Sequence, residues 1–253
     1  MSVEVALKVD VATHAGARDG IPRLRRLFDD LGVPASFFVT MGPDNSGRAI
    51  LRLFTRKGFL RKMLRTKATA MYGWRTVVSG TLLPARMVGV KYPDLLRGLV
   101  ADGHDVGPHG WDHVRWHDRL RRMDDDAARR EFTRGFSACA EALGRVPEGS
   151  AAPGWQCTAA SLAAQDICGI IWHSDTRGSF PYVPCAGGRE FRGLEIPSTL
   201  PTLDEVLGSP ELARQQPVDF FHGRTRGDAL NVFTLHTETE GTLYLEFLKE
   251  LIS

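Results

Sequence analysis

The stretch KVDVATH, residues 8–14, sets the reading of the whole chain. It continues an alternation in which Val3, Val5, Leu7 and Val9 interleave with Glu4, Ala6, Lys8 and Asp10, a period of two that predicts a buried strand running out at Thr13. Side chains two apart on a strand share a face, so Asp10 and Ala12 point into whatever site lies at its end. A single acid followed by a methyl group is an odd pair there, because a metal or acid/base site would use two acids.

Beyond this strand, IPRLRRLFDDLG (21–32) has helical spacing, with Pro22 in its first turn and Gly32 past its end. ASFFVT (35–40) reads as a second strand and GPDNSGR (42–48) as a loop. YPDLLRGLVADG (92–103) is a helix leading into a strand over 104–107, and DDDAARREFTRGFSACAEALG (124–144) is a long helix with acids at its positive end. Short strands are expected at 150–152, 169–173, 194–196 and 231–236, a Gly/Pro-rich surface loop at 181–193, and a terminal helix at 243–252. Alternating strands and helices imply an α/β fold with a mostly parallel sheet, and the count fits a closed or distorted (β/α) barrel of about seven strands. Ligands then belong at the carboxyl ends of the strands.

With 253 residues, 43% of them hydrophobic, the chain is long enough for one large domain. A formal net charge of +2 gives no argument for nucleic acid. That average hides a local field. No acid falls between Asp44 and Asp94, yet Arg48, Arg52, Arg56, Lys57, Arg61, Lys62, Arg65, Lys67 and Arg75 do, interleaved with Leu51, Phe54, Phe59, Leu60 and Leu64. This basic amphipathic segment, within an insertion at about 43–92, either lies on an anionic membrane with Trp74 at the acyl boundary or packs its apolar stripe on the barrel. No stretch approaches the roughly 20 apolar residues that span a bilayer, and no signal-peptide core precedes the first strand, so a cytoplasmic location is expected. Cys139, Cys157, Cys168 and Cys185 lack metal or disulfide spacing and read as reduced, buried or partly buried thiols.

The strongest chemical signal is HGWDH, residues 109–113, directly after a candidate strand. Two imidazoles four apart share one face of a helical turn and can bind one divalent metal; a chance pair of hydrogen-bonded histidines is the alternative. Two other strands end in Asp10 and in His236 of NVFTLH, and delivery of Asp, His-His and His to one rim favours a shared site. WHSDTRG (172–178) adds Asp175, either an acid that orients an imidazole or a turn cap, and Arg177, a site residue or a surface ion pair. His14, His104, His117 and His222 lack such context and read as structural.

The order of strand-end Asp, H-x-x-x-H, a G-W turn (AAPGWQ, 151–156), a strand-end Asp and a final L-H resembles the NodB-type polysaccharide deacetylases, metal-dependent amidases of N-acylated sugars on a distorted (β/α) barrel. GPDNSGR, FLRKMLR (59–65), YGW (72–74), WHSDTRG, IPSTLPTLDEVLG (196–208) and LHTETEG (235–241) carry the resemblance nearly end to end. They are similar to the branch that removes formate from undecaprenyl-phosphate 4-deoxy-4-formamido-L-arabinose at the cytoplasmic face of the inner membrane, a step in lipid A modification and cationic-peptide resistance. The resemblance implies Asp10 as general base, His109 and His113 as metal ligands and His236 as general acid, with Asp175 orienting His236. Arg61, Lys62, Arg65 and Trp74 of the basic segment, with Trp155 and Arg177, are the candidate substrate or membrane contacts. The family's first strand ends D-x-D, with the second acid as third ligand; that position is Ala12, and the turn that carries Arg after G-W has Gln156.

One divalent metal is therefore expected, Zn, Co, Mn or Ni, weakly held for want of an anionic ligand. Ala12 is an inactivating substitution, a natural loss that leaves a binder of lipid-linked sugar, or a vacancy filled by Asp10 or water. A deacetylase of another N-acylated sugar shares the metal site but has no use for the basic segment.

Overall fold

The computed structural model describes residues 3–49, 76 and 79–253. Residues 50–75, which carry Arg61, Lys62, Arg65 and Trp74 and most of the basic segment, lie outside the described residues.

β1 (Ala6–Val11), β2 (Ser36–Val39), β3 (Asp105–Pro108) and β9 (Val232–His236) form a parallel sheet in the order β3-β2-β1-β9. β4 (Gly149–Ser150), β5 (Trp172–His173) and β8 (Leu194–Glu195) form a second parallel sheet in the order β4-β5-β8. Irregular backbone bonds join the two arcs at both ends. The Ala151 amide donates to the Pro108 carbonyl at 3.2 Å on one side, and the Leu200 amide to the Val232 carbonyl at 3.1 Å on the other. Seven parallel strands thus make the distorted barrel that the alternation of elements predicts.

Both faces of β1 are buried, for opposite reasons. Leu7, Val9 and Val11 join a core cluster with Leu24 and Phe28 of α1 (Ile21–Leu31), Phe37, Val39, Phe221, Phe233 and Leu248. Lys8 and Asp10, on the alternate positions, face the barrel interior and are only 3% and 4% exposed. Inside, Phe38 meets Trp172 edge to face at 5.5 Å between ring centroids, across the two arcs. α1 ends as its sequence predicts, with Gly32 in the left-handed conformation at φ 66°.

The seam between the arcs depends on glycine at one position. A Cβ on Gly107 of β3 would fall 2.1 Å from the Gly149 carbonyl oxygen, which is backbone and has nowhere to go. Gly107→Ala is expected to destabilise the fold by about 3 kcal/mol, at the upper end of overpacking costs, read as a lowered urea midpoint at unchanged slope.

Three expectations need correction. The Gly/Pro-rich stretch 181–193 holds a hairpin, β6 (Cys185–Ala186) against β7 (Arg189–Glu190), because Gly187 and Gly188 at φ 62° and 77° supply its turn. Cys185 on that hairpin is exposed, whereas the other three thiols are buried or partly so. His109 and His113 do not share a helical turn, because the chain reverses at Gly110 between them.

Candidate active site

Strand register places the polar residues. Asp10 pairs with Phe38 on one side and with His236 on the other, so β1 and β9 deliver a carboxylate and an imidazole to neighbouring positions on one rim. His109 directly follows β3, and Gly110 then turns the chain back in the left-handed region at φ 72°. That turn ends at Asp112, which caps α2 (His113–Arg119) by accepting from the Arg115 amide at 2.9 Å. The histidine pair therefore comes from a strand end and a helix start, with rings 5.2 Å apart. His109 Nε2 lies 3.9 Å from Asp10 Oδ2. Segments around residues 10, 109–113 and 236 meet at one rim.

GPDN, read from sequence as a loop, ties these segments together. Asp44 Oδ2 accepts from the His14 amide at 3.0 Å, just beyond Ala12, and Asn45 Nδ2 donates to Asp112 Oδ2 at 2.7 Å, just before His113. From the far side, Glu238 Oε1 accepts from the Thr13 amide and hydroxyl at 2.8 and 2.6 Å, and Glu240 Oε2 accepts from the His236 amide at 2.9 Å. Sequence reading missed both glutamates. Their buried places in LHTETEG make them braces, and burial pushes both carboxyls up, Glu240 to about 7.

The rim suits a cation in kind. Burial pushes His109 down to about 4 against the pull of Asp10, and desolvation with His109 alongside pushes His113 well below its usual value, so both imidazoles are neutral. The Ala151 carbonyl can only accept, so His109 Nδ1 donates to it at 2.9 Å and Nε2 keeps a free lone pair. Asp10 Oδ1 is buried without a hydrogen-bond partner. Two imidazoles and this carboxylate are suitable donors for a divalent metal, and Ala12, one residue beyond β1, adds none.

Among the described residues, one group of three such donors gathers within 4.8 Å, namely His173, Asp175 and Glu195 inside the second arc. Hydrogen bonds engage most of its polar atoms, and Asp175 Oδ1 is buried without a partner. Glu195 accepts from His173 Nδ1 at 2.6 Å, as well as from the amides of Asp175 and Thr176 and the Thr176 hydroxyl. Burial disfavours a charge on His173, but Asp175 and Glu195 outweigh it and raise its pKa.

Asp175 does not orient His236. Its Oδ2 accepts from Gln165 Nε2 at 2.6 Å, and burial lifts its pKa to about 6. His236 Nδ1 donates instead to Asp204 Oδ1 at 3.0 Å. The physical reason is strand order: Asp175 follows β5, between β4 and β8, whereas Asp204 lies in the first turn of a short helix (Leu203–Val206) entered from the seam beside β9. Burial opposes the charge on His236, but Asp204 overrides it and raises the pKa to about 10, while Asp204 is itself held below the usual carboxylate range.

Trp155 and Arg177 sit together at the rim. The guanidinium stacks 4.0 Å from the Trp155 ring, and it donates to the Leu200 carbonyl at 2.9 Å and to Glu205 at 2.7 Å. Trp155 adopts a left-handed φ of 52°, rare for a large side chain, and its Nε1 donates to Ser198 at 2.9 Å.

The profile of the polysaccharide deacetylase family matches residues 4–170. A probable 4-deoxy-4-formamido-L-arabinose-phosphoundecaprenol deformylase, ArnD, of Shewanella sediminis (strain HAW-EB3) is 36% identical over 249 residues, 98% of this chain and 80% of that one. The protein of the same description from Wigglesworthia glossinidia brevipalpis is 29% identical, over 94% of this chain and 83% of its own. A solved structure described as a probable polysaccharide deacetylase from Pseudomonas aeruginosa PAO1 superposes with a TM-score of 0.60 at 16% identity, covering 99% of this chain and 84% of that one. That likeness speaks to the fold.

Proposed function

The chain belongs to the polysaccharide deacetylase family, and from that premise we propose that it hydrolyses the formamide of undecaprenyl-phosphate 4-deoxy-4-formamido-L-arabinose to formate and the 4-amino sugar lipid. The observation that carries this reading is the register that sets a buried carboxylate, Asp10, beside a protonated imidazole, His236, at a rim shared with His109 and His113. The chain has the chemistry of a linear-amide hydrolase, and the near full-length similarity to deformylases supplies the substrate.

In this reading His109 and His113 would hold one divalent cation, Zn, Co, Mn or Ni, which would supply Lewis acidity to the attacking water near neutral pH. Asp10 takes the water's proton through its unpartnered oxygen. His236 donates its Nε2 proton to the departing amine, and Asp204 on Nδ1 keeps the ring charged and aimed. The carbon–nitrogen bond breaks as the nitrogen gains that proton, leaving formate and a free amine. Ala12 leaves the cation weakly held. Trp155 and Arg177 form one wall for the sugar, and the basic segment, with Arg61, Lys62, Arg65 and Trp74, meets the polyprenyl phosphate at the cytoplasmic face of the inner membrane. No helix among the described residues is long and apolar enough to cross a membrane.

Release of formate from formamido sugars and of acetate from acetamido sugars, each with and without the lipid, tests the reading. Turnover confined to the lipid-linked formamido sugar supports it, and equal turnover of a soluble acetamido sugar overturns the substrate. Ala12 favours a second reading, an inert binder of the same lipid-linked sugar, which would retain substrate binding and stay inert after Ala12→Asp.

A further inference from the structure

Lys8 is a buried ammonium with few reasons to be there. It lies two residues before Asp10 on β1, on the same inward face, and is 3% exposed. Its Nζ donates to the Ser174 carbonyl at 2.9 Å and lies 5.7 and 6.0 Å from the ring centroids of Trp155 and Phe38. Its ion pair is with Asp10 Oδ2, at 3.6 Å. A buried charge persists only when paired, and here the pair holds the carboxylate assigned as proton acceptor.

Asp10 stands between two claims. The same Oδ2 is 3.9 Å from His109 Nε2, and Oδ1 has no partner. Both separations exceed hydrogen-bond length, so a small movement decides whether the carboxylate stays with Lys8 or joins His109 and His113 as a metal ligand. A second acid at position 12 would fill the coordination place and leave Asp10 free, but Ala12 leaves that place open. Gln156 brings no cation to Asp10, whereas Trp155 beside it covers Lys8.

We propose that Lys8 is the positioning residue that keeps Asp10 a base, by holding its carboxylate out of the coordination sphere of the cation. The inference rests on reading the rim as a cation site. It predicts that removing the lysine charge improves metal binding, an outcome that damage to the fold does not produce. Freed from Lys8, Asp10 supplies the anionic ligand that Ala12 lacks, and a like charge beside the cation is gone.

Cobalt(II) alone, titrated by its visible absorption, is the probe. Lys8→Met in the chain as it stands is expected to bind cobalt on the order of tenfold more tightly or better. Lys8→Gln, which keeps a donor for the Ser174 carbonyl but drops the charge, serves if Lys8→Met does not fold, and the same gain is expected. Lys8→Arg should leave the affinity unchanged. In the Ala12→Asp chain, Lys8→Met should lower kcat with KM unmoved. If both uncharged variants bind cobalt no more tightly than the parent while Ala12→Asp does, the role of Lys8 is overturned and the cation site stands. If Ala12→Asp binds no more tightly either, the cation site itself is overturned, and the proposal with it.

Discussion

Ala12→Asp is expected to tighten divalent-metal binding by at least about 10–100-fold and to raise deformylase turnover with it, since losing even an outer partner of a metal ligand costs that much. Lys8 and Asp10 face inward on β1, and position 12 follows directly beyond the strand's last residue, Val11, two residues after Asp10. Thr13, pinned by Glu238, and His14, pinned by Asp44, fix the backbone on its far side, so a new side chain there has a defined direction. Ala12 itself is only partly buried, so a polar side chain there is not taken wholly out of water. His109 and His113 are already neutral, so binding displaces no proton from either ring in the neutral range. Metal content by mass spectrometry and formate release, measured on both chains side by side, check the prediction. Gain in neither would mean that His109 and His113 are not the ligands of a cation.

The strand-end logic of the site is legible in the sequence because it depends on local alternation. Asp10, His109 and His236 each close an apolar run, and parallel strands bring such ends to one rim whatever their exact order. What depends on order is not legible. Asp175 looks like the acid for His236, since it too follows a strand, yet β5 belongs to the other arc and Asp204 fills the place. Lys8 falls in the polar phase of the alternation, and only closure of the barrel shows that this phase is interior. The spacing of His109 and His113 suits a helical turn, but Pro108 closes the strand and Gly110 reverses the chain, so the same spacing arises from a turn. Strands two residues long, such as β4, β5 and β8, carry too little sequence to show a period and are held by neighbours the sequence does not name.

In the Ala12→Asp chain, His236→Gln is expected to lower kcat by about 10²–10⁴-fold, the usual worth of a positioned general acid, with substrate binding retained. Asp204→Asn separates the proton from the ring. His236 acts in its charged form, and Asp204 holds that form to about pH 10 against burial. With an uncharged amide in place of the Asp204 carboxylate, only Asp10 and Glu240 are left to oppose burial, so the His236 pKa falls and the alkaline limb of the kcat profile moves down. The fraction of parent activity that the variant keeps should fall as pH is raised from about 6 to about 9. Stability should follow the same sign. A raised histidine pKa stabilises fully below about 6.5 and loses that contribution as pH climbs through about 10, while the lowered Asp204 contributes above the ordinary carboxylate range and loses it in acid. The stability gap between the parent and Asp204→Asn in urea should therefore be widest near about pH 5–6 and close towards about pH 10. An alkaline limb that stays where it is after Asp204→Asn would show that a group other than His236 protonates the leaving amine.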